Sequence, residues 1–171
     1  MNKTANFLTK EEFTTIADNY KNRGDIHWLT NVNNHRWEYH EKVIDLLKTI
    51  EFDSVLEAGT MNIKIYSDSD TIDYNLPNSG WYLYYTPTHI HDLRQIPWCI
   101  DDKKYDVFIA LRVFHHLLDK PQKYFNEMKR ISNHIILALP DNVAEIYKKI
   151  QSPTLELICL YTDTVILYYK I

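Results

Sequence analysis

An α/β domain with a mostly parallel sheet, finished by one antiparallel hairpin, is predicted by three features of the sequence. Ser54–Ala58, Tyr105–Leu111 and His134–Leu139 are short and nearly continuously apolar, the character of strands buried on both faces of a parallel sheet. Segments with helical periodicity alternate with these runs, the order that builds a sheet with helices on both faces. Two terminal β runs, Leu155–Leu160 and Val165–Tyr169, are joined only by Tyr161-Thr162-Asp163-Thr164. So short a link forbids a parallel crossover and makes them an antiparallel hairpin.

The 171 residues suit one domain with one real core. We expect residues 1–50 to form a helical cover and residues 52–171 the core. With 45% hydrophobic and 25% charged residues the composition is that of a globular chain, not a disordered one. The net charge of −4 argues against a broad nucleic-acid footprint, which needs a basic face. Cys99 and Cys159 have neither ligand nor redox spacing and read as free thiols. There is no signal-peptide pattern and no run of 18 apolar residues, so the expectations are no membrane partner and a cytoplasmic protein.

In chain order, residues 1–8 read as a loose terminus. Thr9 and Glu12 fit a capping box, and Phe13, Ile16, Ala17 and Tyr20 give the following helix one apolar face, with Gly24 placed to end it. A second helix is predicted over 35–50, with Tyr39, Val43, Leu46, Leu47 and Ile50 as its stripe. Strand one is 54–58 and ends at Gly59. The segment Thr60–Asp70 is short for a crossover helix, so the connection is one turn or irregular. Strand two is Thr71–Asp73. Asn75–Gly80 is a turn cluster and Trp81–Tyr85 a β-prone aromatic run. Strand three is predicted around Thr88–His91. Asp119 is the expected cap of a helix with Pro121 in its first turn and Tyr124, Phe125, Met128 and Ile131 facing the core. A further helix is expected over 142–150.

This order resembles the class I S-adenosylmethionine-dependent methyltransferases over about residues 36–171. The resemblance is carried by Asp106–Leu117 with its His115-His116 pair before leucine, by Glu127–Ile131, and by Ile136–Pro140. It implies a Rossmann-like, seven-stranded, mostly parallel sheet with a C-terminal antiparallel hairpin and helices on both faces. It implies S-adenosylmethionine as cofactor, with Glu57 and Gly59 bordering its methionine end and Asp73 accepting from the ribose hydroxyls. Tyr74 would lie against the adenine, Asp92 would accept from its amino group with Leu93 alongside, and Leu111 and Arg112 would lie near the methionine moiety. The departures are in the glycine motif: Met61 and Lys64 stand at its other glycine positions, with Asn62 available for a left-handed turn. Asp73 follows Gly59 by 14 residues, against roughly 20 in the dinucleotide version.

The activity so implied is methyl transfer to a small-molecule acceptor, a sugar or glycan precursor being one such acceptor, by a monomer or homodimer without nucleic acid. The alternative is a catalytically inactive methyltransferase-like binding or partner module. His115 and His116, at the carboxyl end of strand four, are candidate catalytic bases. Tyr20, Trp28, His35, Arg36, Trp37 and His40 are candidates for an acceptor wall. His89-x-His91 puts two imidazoles on one strand face, but no carboxylate-rich hydrolase motif surrounds it, and no metal is expected.

Overall fold

The computed structural model describes residues 6–22, 33–61, 63–74 and 86–171. Gly24, His27, Trp28, Asn62, the 75–80 turn cluster and the 81–85 aromatic run lie outside them.

Seven strands form one sheet: β1 (Val55–Ala58), β2 (Asp70–Asp73), β3 (His89–Ile90), β4 (Tyr105–Leu111), β5 (Ser132–Pro140), β6 (Leu155–Ile158) and β7 (Thr164–Lys170). Their order is β3-β2-β1-β4-β5-β7-β6. β1 to β5 are mutually parallel, whereas β7 runs antiparallel to both β5 and β6. This is the expected parallel sheet with its closing hairpin.

Period-two alternation divides the strands between two cores. Val107 and Ile109 of β4, Ile136 and Ala138 of β5 and Ile166 of β7 belong to one. Phe108, Ala110, Ile135, Leu137, Leu139, Val165 and Leu167 belong to the other. Helix α2 (Asn33–Leu47) covers the first face through Tyr39, Val43 and Leu47. Helices α3 (Pro121–Ile131) and α4 (Asp141–Ile150) cover the second through Tyr124, Phe125, Met128, Val143 and Tyr147. Each such fully buried side chain contributes on the order of 1.5–3 kcal/mol.

Helix α1 (Lys10–Asn22) starts at the expected capping box. The Thr9 amide donates to Glu12 Oε2 at 2.8 Å, and the Glu12 amide donates to Thr9 Oγ1 at 3.2 Å. α1 buries Phe13, Ala17 and Tyr20 in a third cluster with Ile63 of the β1–β2 connection.

Two expectations are corrected. Residues 6–8 are not loose: the Leu8 amide donates to the Ile65 carbonyl, the Ser67 amide donates to the Asn6 carbonyl, and Phe7 bridges Tyr66. Asp119 does not cap α3. Its carboxylate accepts from the Tyr124 hydroxyl at 2.8 Å instead, and Lys120 holds the cap position without a side-chain bond.

No helix lies between β1 and β2 among the described residues. The connection is held from below instead. Glu57, buried in the middle of β1, accepts from the Ile65 amide (2.8 Å), the Tyr66 amide (3.0 Å) and the Ser69 hydroxyl (2.7 Å). One carboxylate thus does for the irregular crossover what intrahelical bonds do for a helical one.

Candidate active site

A cleft of about 600 Å³ opens at the carboxyl ends of β1, β2 and β4, the rim where open α/β sheets place their ligands. Its floor is the turn after β1. Gly59 has φ +62, and a Cβ there would lie 2.7 Å from Val113 Cγ2. The backbone needs the left-handed region and the space needs hydrogen, so only glycine meets both demands.

Met61 takes the same left-handed region, with φ +49. The Met61 side chain packs against the α1 cluster, and its carbonyl accepts from the Tyr20 hydroxyl at 2.6 Å. A side chain at the second glycine position therefore forms part of the wall, and the cleft keeps its volume with it in place.

Across the floor, β4 ends in Leu111, followed by Arg112 at φ +58. The Arg112 guanidinium donates to Asp163 (2.8 Å) and to Thr164 Oγ1 (3.2 Å), tying the β4 exit to the hairpin turn. Non-glycine residues in this backbone region persist only where their surroundings over-determine them, and such residues gather at functional sites. Of the three among the described residues, Met61 and Arg112 both line the cleft.

A 3₁₀ turn, Phe114–His116, follows. Phe114 buries itself in the α3–α4 side of the core, which brings His115 and His116 to the cleft with ring centroids 3.7 Å apart. Burial, then the neighbouring His116, lowers the His115 pKa to about 4, so its ring is neutral at physiological pH. His115 Nδ1, Thr60 Oγ1 and Thr162 Oγ1 are buried without a hydrogen-bond partner among the described residues, and all three residues line the cleft. Buried polar atoms are rarely left unpaired, so three at one cleft leave hydrogen-bonding capacity there that a ligand could take up.

The remaining wall comes from α2. Arg36, Tyr39 and His40, one face of the helix by their spacing, line the cleft above β4. Arg36 and His40 belong to the acceptor wall expected from the sequence. Tyr20 meets the cleft wall through the Met61 carbonyl, while Trp37 packs against the α1 cluster. The contribution of Thr162, Asp163 and Thr164 from the hairpin turn was not anticipated. The only signal for it was Asp163 in a polar link between two β runs.

Of the residues proposed for the site, the cleft brings together Glu57, Gly59, Asp73, Leu111, Arg112, His115 and His116. Glu57 reaches it only as the clamp under the crossover, its oxygens already engaged. Asp73 stands at the end of β2, half-buried, with one oxygen accepting from the Tyr74 amide at 2.9 Å.

Three residues are not in the lining. Tyr74 is exposed. Asp92 binds Arg94 through both carboxylate oxygens, at 2.9 and 2.7 Å, and this guanidinium holds its carboxyl below the usual range. Leu93 is buried in the core, and its carbonyl accepts from Trp98 Nε1 at 3.0 Å. β3 has only two residues, so the chain turns away early and packs Leu93 beneath the sheet.

The H-x-H pair is also engaged elsewhere. His89 Nε2 bonds the Tyr105 hydroxyl and His91 Nε2 the Gln95 carbonyl, both at 2.8 Å. Among the described residues no three His, Cys, Asp or Glu side chains are grouped to hold a metal ion.

No protein-family model matches the chain, and no curated protein matches its sequence. Solved structures do match its fold. A SAM-dependent methyltransferase from Aquifex aeolicus is 15% identical, over 94% of this chain and 97% of its own, with a TM-score of 0.54. A chain from Methanococcus maripaludis, described as a candidate S-adenosyl-L-methionine-dependent methyltransferase, is 11% identical over 99% and 96%, with a TM-score of 0.57. An rRNA methylase from Escherichia coli is 11% identical over 95% of this chain and 78% of its own, with a TM-score of 0.53.

The last of these corrects one expectation. The net charge of −4 argued against a nucleic-acid partner, and the small-molecule acceptor followed from the family resemblance. A chain of this fold is an rRNA methylase, so the fold itself does not exclude nucleic acid. Sheet order, closing hairpin and structural neighbours agree: the chain has the fold of the class I S-adenosylmethionine-dependent methyltransferases.

Proposed function

We propose that the protein binds S-adenosylmethionine in the cleft above Gly59 and transfers its methyl group to an acceptor that enters beside α2. The observation that carries this reading is the meeting at one rim of a glycine-only turn, the Asp73 carboxylate and three buried polar atoms without partners among the described residues.

The residues present fit that cofactor. Asp73 would hold the ribose, since a two-oxygen acceptor suits two vicinal hydroxyls. Gly59 lets backbone approach closely, and Ala58, Met61, Leu111 and Val113 offer apolar contact. When bound, the sulfonium supplies an electrophilic methyl that needs little activation by the protein. The chain's task is then to position the acceptor in line and to exclude water. The Arg112–Asp163 pair supports this by fixing the hairpin turn against the β4 exit.

A second reading, an inactive module, is favoured by Asp92. Its carboxylate is already taken by Arg94, so an adenine amino group would have to compete for it.

Calorimetric titration with S-adenosylhomocysteine separates the two readings. Wild type is expected to bind in the micromolar range, and Asp73→Ala to weaken binding at least tenfold, because a hydrogen bond to a charged group is worth about 1.5–3 kcal/mol. No heat and no thermal shift with wild type would sink the cofactor reading. Binding without transfer of label from S-adenosyl-[methyl-³H]methionine, to either a small-metabolite extract containing sugars or total RNA, would support the inactive module.

A further inference from the structure

His40 was expected only as part of a wall, yet its surroundings define what that wall can recognise. It is buried, 5% exposed, and lines the cleft. Its ring is packed between Tyr39 and Phe13, at centroid distances of 4.6 and 4.9 Å, and lies parallel to Trp37. Its orientation is therefore fixed by three neighbours.

His40 Nδ1 lies 2.8 Å from the Arg36 carbonyl oxygen. A carbonyl can only accept, so Nδ1 carries the ring hydrogen and Nε2 is left with a bare lone pair. Nε2 makes no hydrogen bond to the described residues. Burial lowers the pKa of this imidazole to about 4, so it stays neutral and keeps this tautomer across the physiological range. His115, the base expected from the sequence, has no bond at Nδ1 to fix its tautomer.

Resting on the methyl-transfer reading above, we propose that His40 determines acceptor specificity: its Nε2 lone pair takes a hydrogen bond from an N–H or O–H on the methyl acceptor. The atom hydrogen-bonded to Nε2 is the one methylated, so the cleft favours a nitrogen or oxygen that bears a hydrogen. As the methyl passes from the sulfonium, sulfur keeps the S–C electron pair and the hydrogen leaves as a proton to solvent. A carboxylate has no hydrogen to give and would turn its own lone pairs toward Nε2. The discrimination is large because a site built to bond a donor leaves its own buried group unpaired when the donor is missing.

Three measurements test this. Ring-nitrogen NMR of wild type should find His40 as the Nδ1–H tautomer; an Nε2–H tautomer overturns the proposal. The label from S-adenosyl-[methyl-³H]methionine, offered a small-metabolite extract and total RNA, should appear in base-stable products. Label released as methanol by base marks a methyl ester and overturns it, as does no label in either fraction despite S-adenosylhomocysteine binding.

The third measurement uses His40→Phe, which keeps the ring stack but removes the lone pair. It is expected to bind S-adenosylhomocysteine within twofold of wild type and to lose roughly 10- to 100-fold in kcat/KM. His40→Gln, whose amide oxygen can reach the Nε2 position, should recover part of that loss, which a purely structural role would not predict. His40→Phe transfer within twofold of wild type overturns the proposal. Failure of wild type to bind S-adenosylhomocysteine overturns the cofactor reading instead.

Discussion

Replacing Glu57 with leucine is expected to destabilise the protein by roughly 3–5 kcal/mol, the largest effect of any single substitution considered. Leucine fills the space but leaves three donors without partners: the Ile65 amide, the Tyr66 amide and the Ser69 hydroxyl. Each orphaned buried donor costs about 1–3 kcal/mol, partly offset because a carboxylate no longer has to be buried. Thermal melts would show the loss as a fall of roughly 6–20 °C for a chain of this size. Amide exchange at Ile65 and Tyr66 should accelerate more than exchange in β5. A loss below about 1 kcal/mol would mean that the crossover is held by something other than this carboxylate.

The same residue gives a pH signature. Burial raises the Glu57 pKa above the usual carboxyl range, and the three donors only partly offset it. Its folded value thus exceeds its unfolded one. The stability this contributes is complete below the unfolded value, about 4.3, and is lost as pH rises through the raised folded value. Other carboxyls act in the opposite sense. Asp92, held down by Arg94, and Asp106, held down by the Asp53 amide, contribute stability above their unfolded values and lose it as pH falls. Comparison with Glu57→Gln removes these shared contributions. The margin of wild type over Glu57→Gln should narrow as pH rises from about 4 through the raised folded value. A margin that widens would show that the donors outweigh burial.

Glu57 also marks where the sequence stopped being informative. An acidic residue inside a buried strand was visible, and so was a connection too short for a helix, but nothing linked the two. The bonds join positions 8, 9 and 12 residues apart through an irregular loop, and no periodicity encodes that. The elements that were legible are those with a local pattern. β4 and β5 are continuously apolar because their alternate residues enter two cores, and the Thr9–Glu12 box starts α1 where expected.

The cleft was legible in the sequence where its lining coincides with strand ends, at Gly59, Asp73 and Leu111. Asp92 and Leu93 lie outside that lining. A two-residue β3 and a local arginine, Arg94, decide their fate, and neither leaves a pattern. His40 reads as a generic aromatic-wall residue until the Arg36 carbonyl fixes its tautomer.

Gly59→Ala is expected to cost roughly 2–4 kcal/mol and to abolish measurable S-adenosylhomocysteine binding. Two causes add. An L-residue in the left-handed region pays roughly 1–2 kcal/mol, and φ here is +62. The new Cβ would also lie 2.7 Å from Val113 Cγ2 and 3.4 Å from Cγ1. Valine is stiff at χ1 and cannot swing away, so overpacking adds a further 1–2 kcal/mol or so. A double-mutant cycle separates the causes. Val113→Ala should relieve the steric part in the Gly59→Ala background and leave the backbone part in place, giving a coupling energy of roughly 1–2 kcal/mol. Restored stability without restored cofactor binding would assign Gly59 to the cofactor as well as to the turn. Gly59→Ala within about 0.5 kcal/mol of wild type would mean that the turn after β1 is free to rearrange, and the case for a built cofactor rim would go with it.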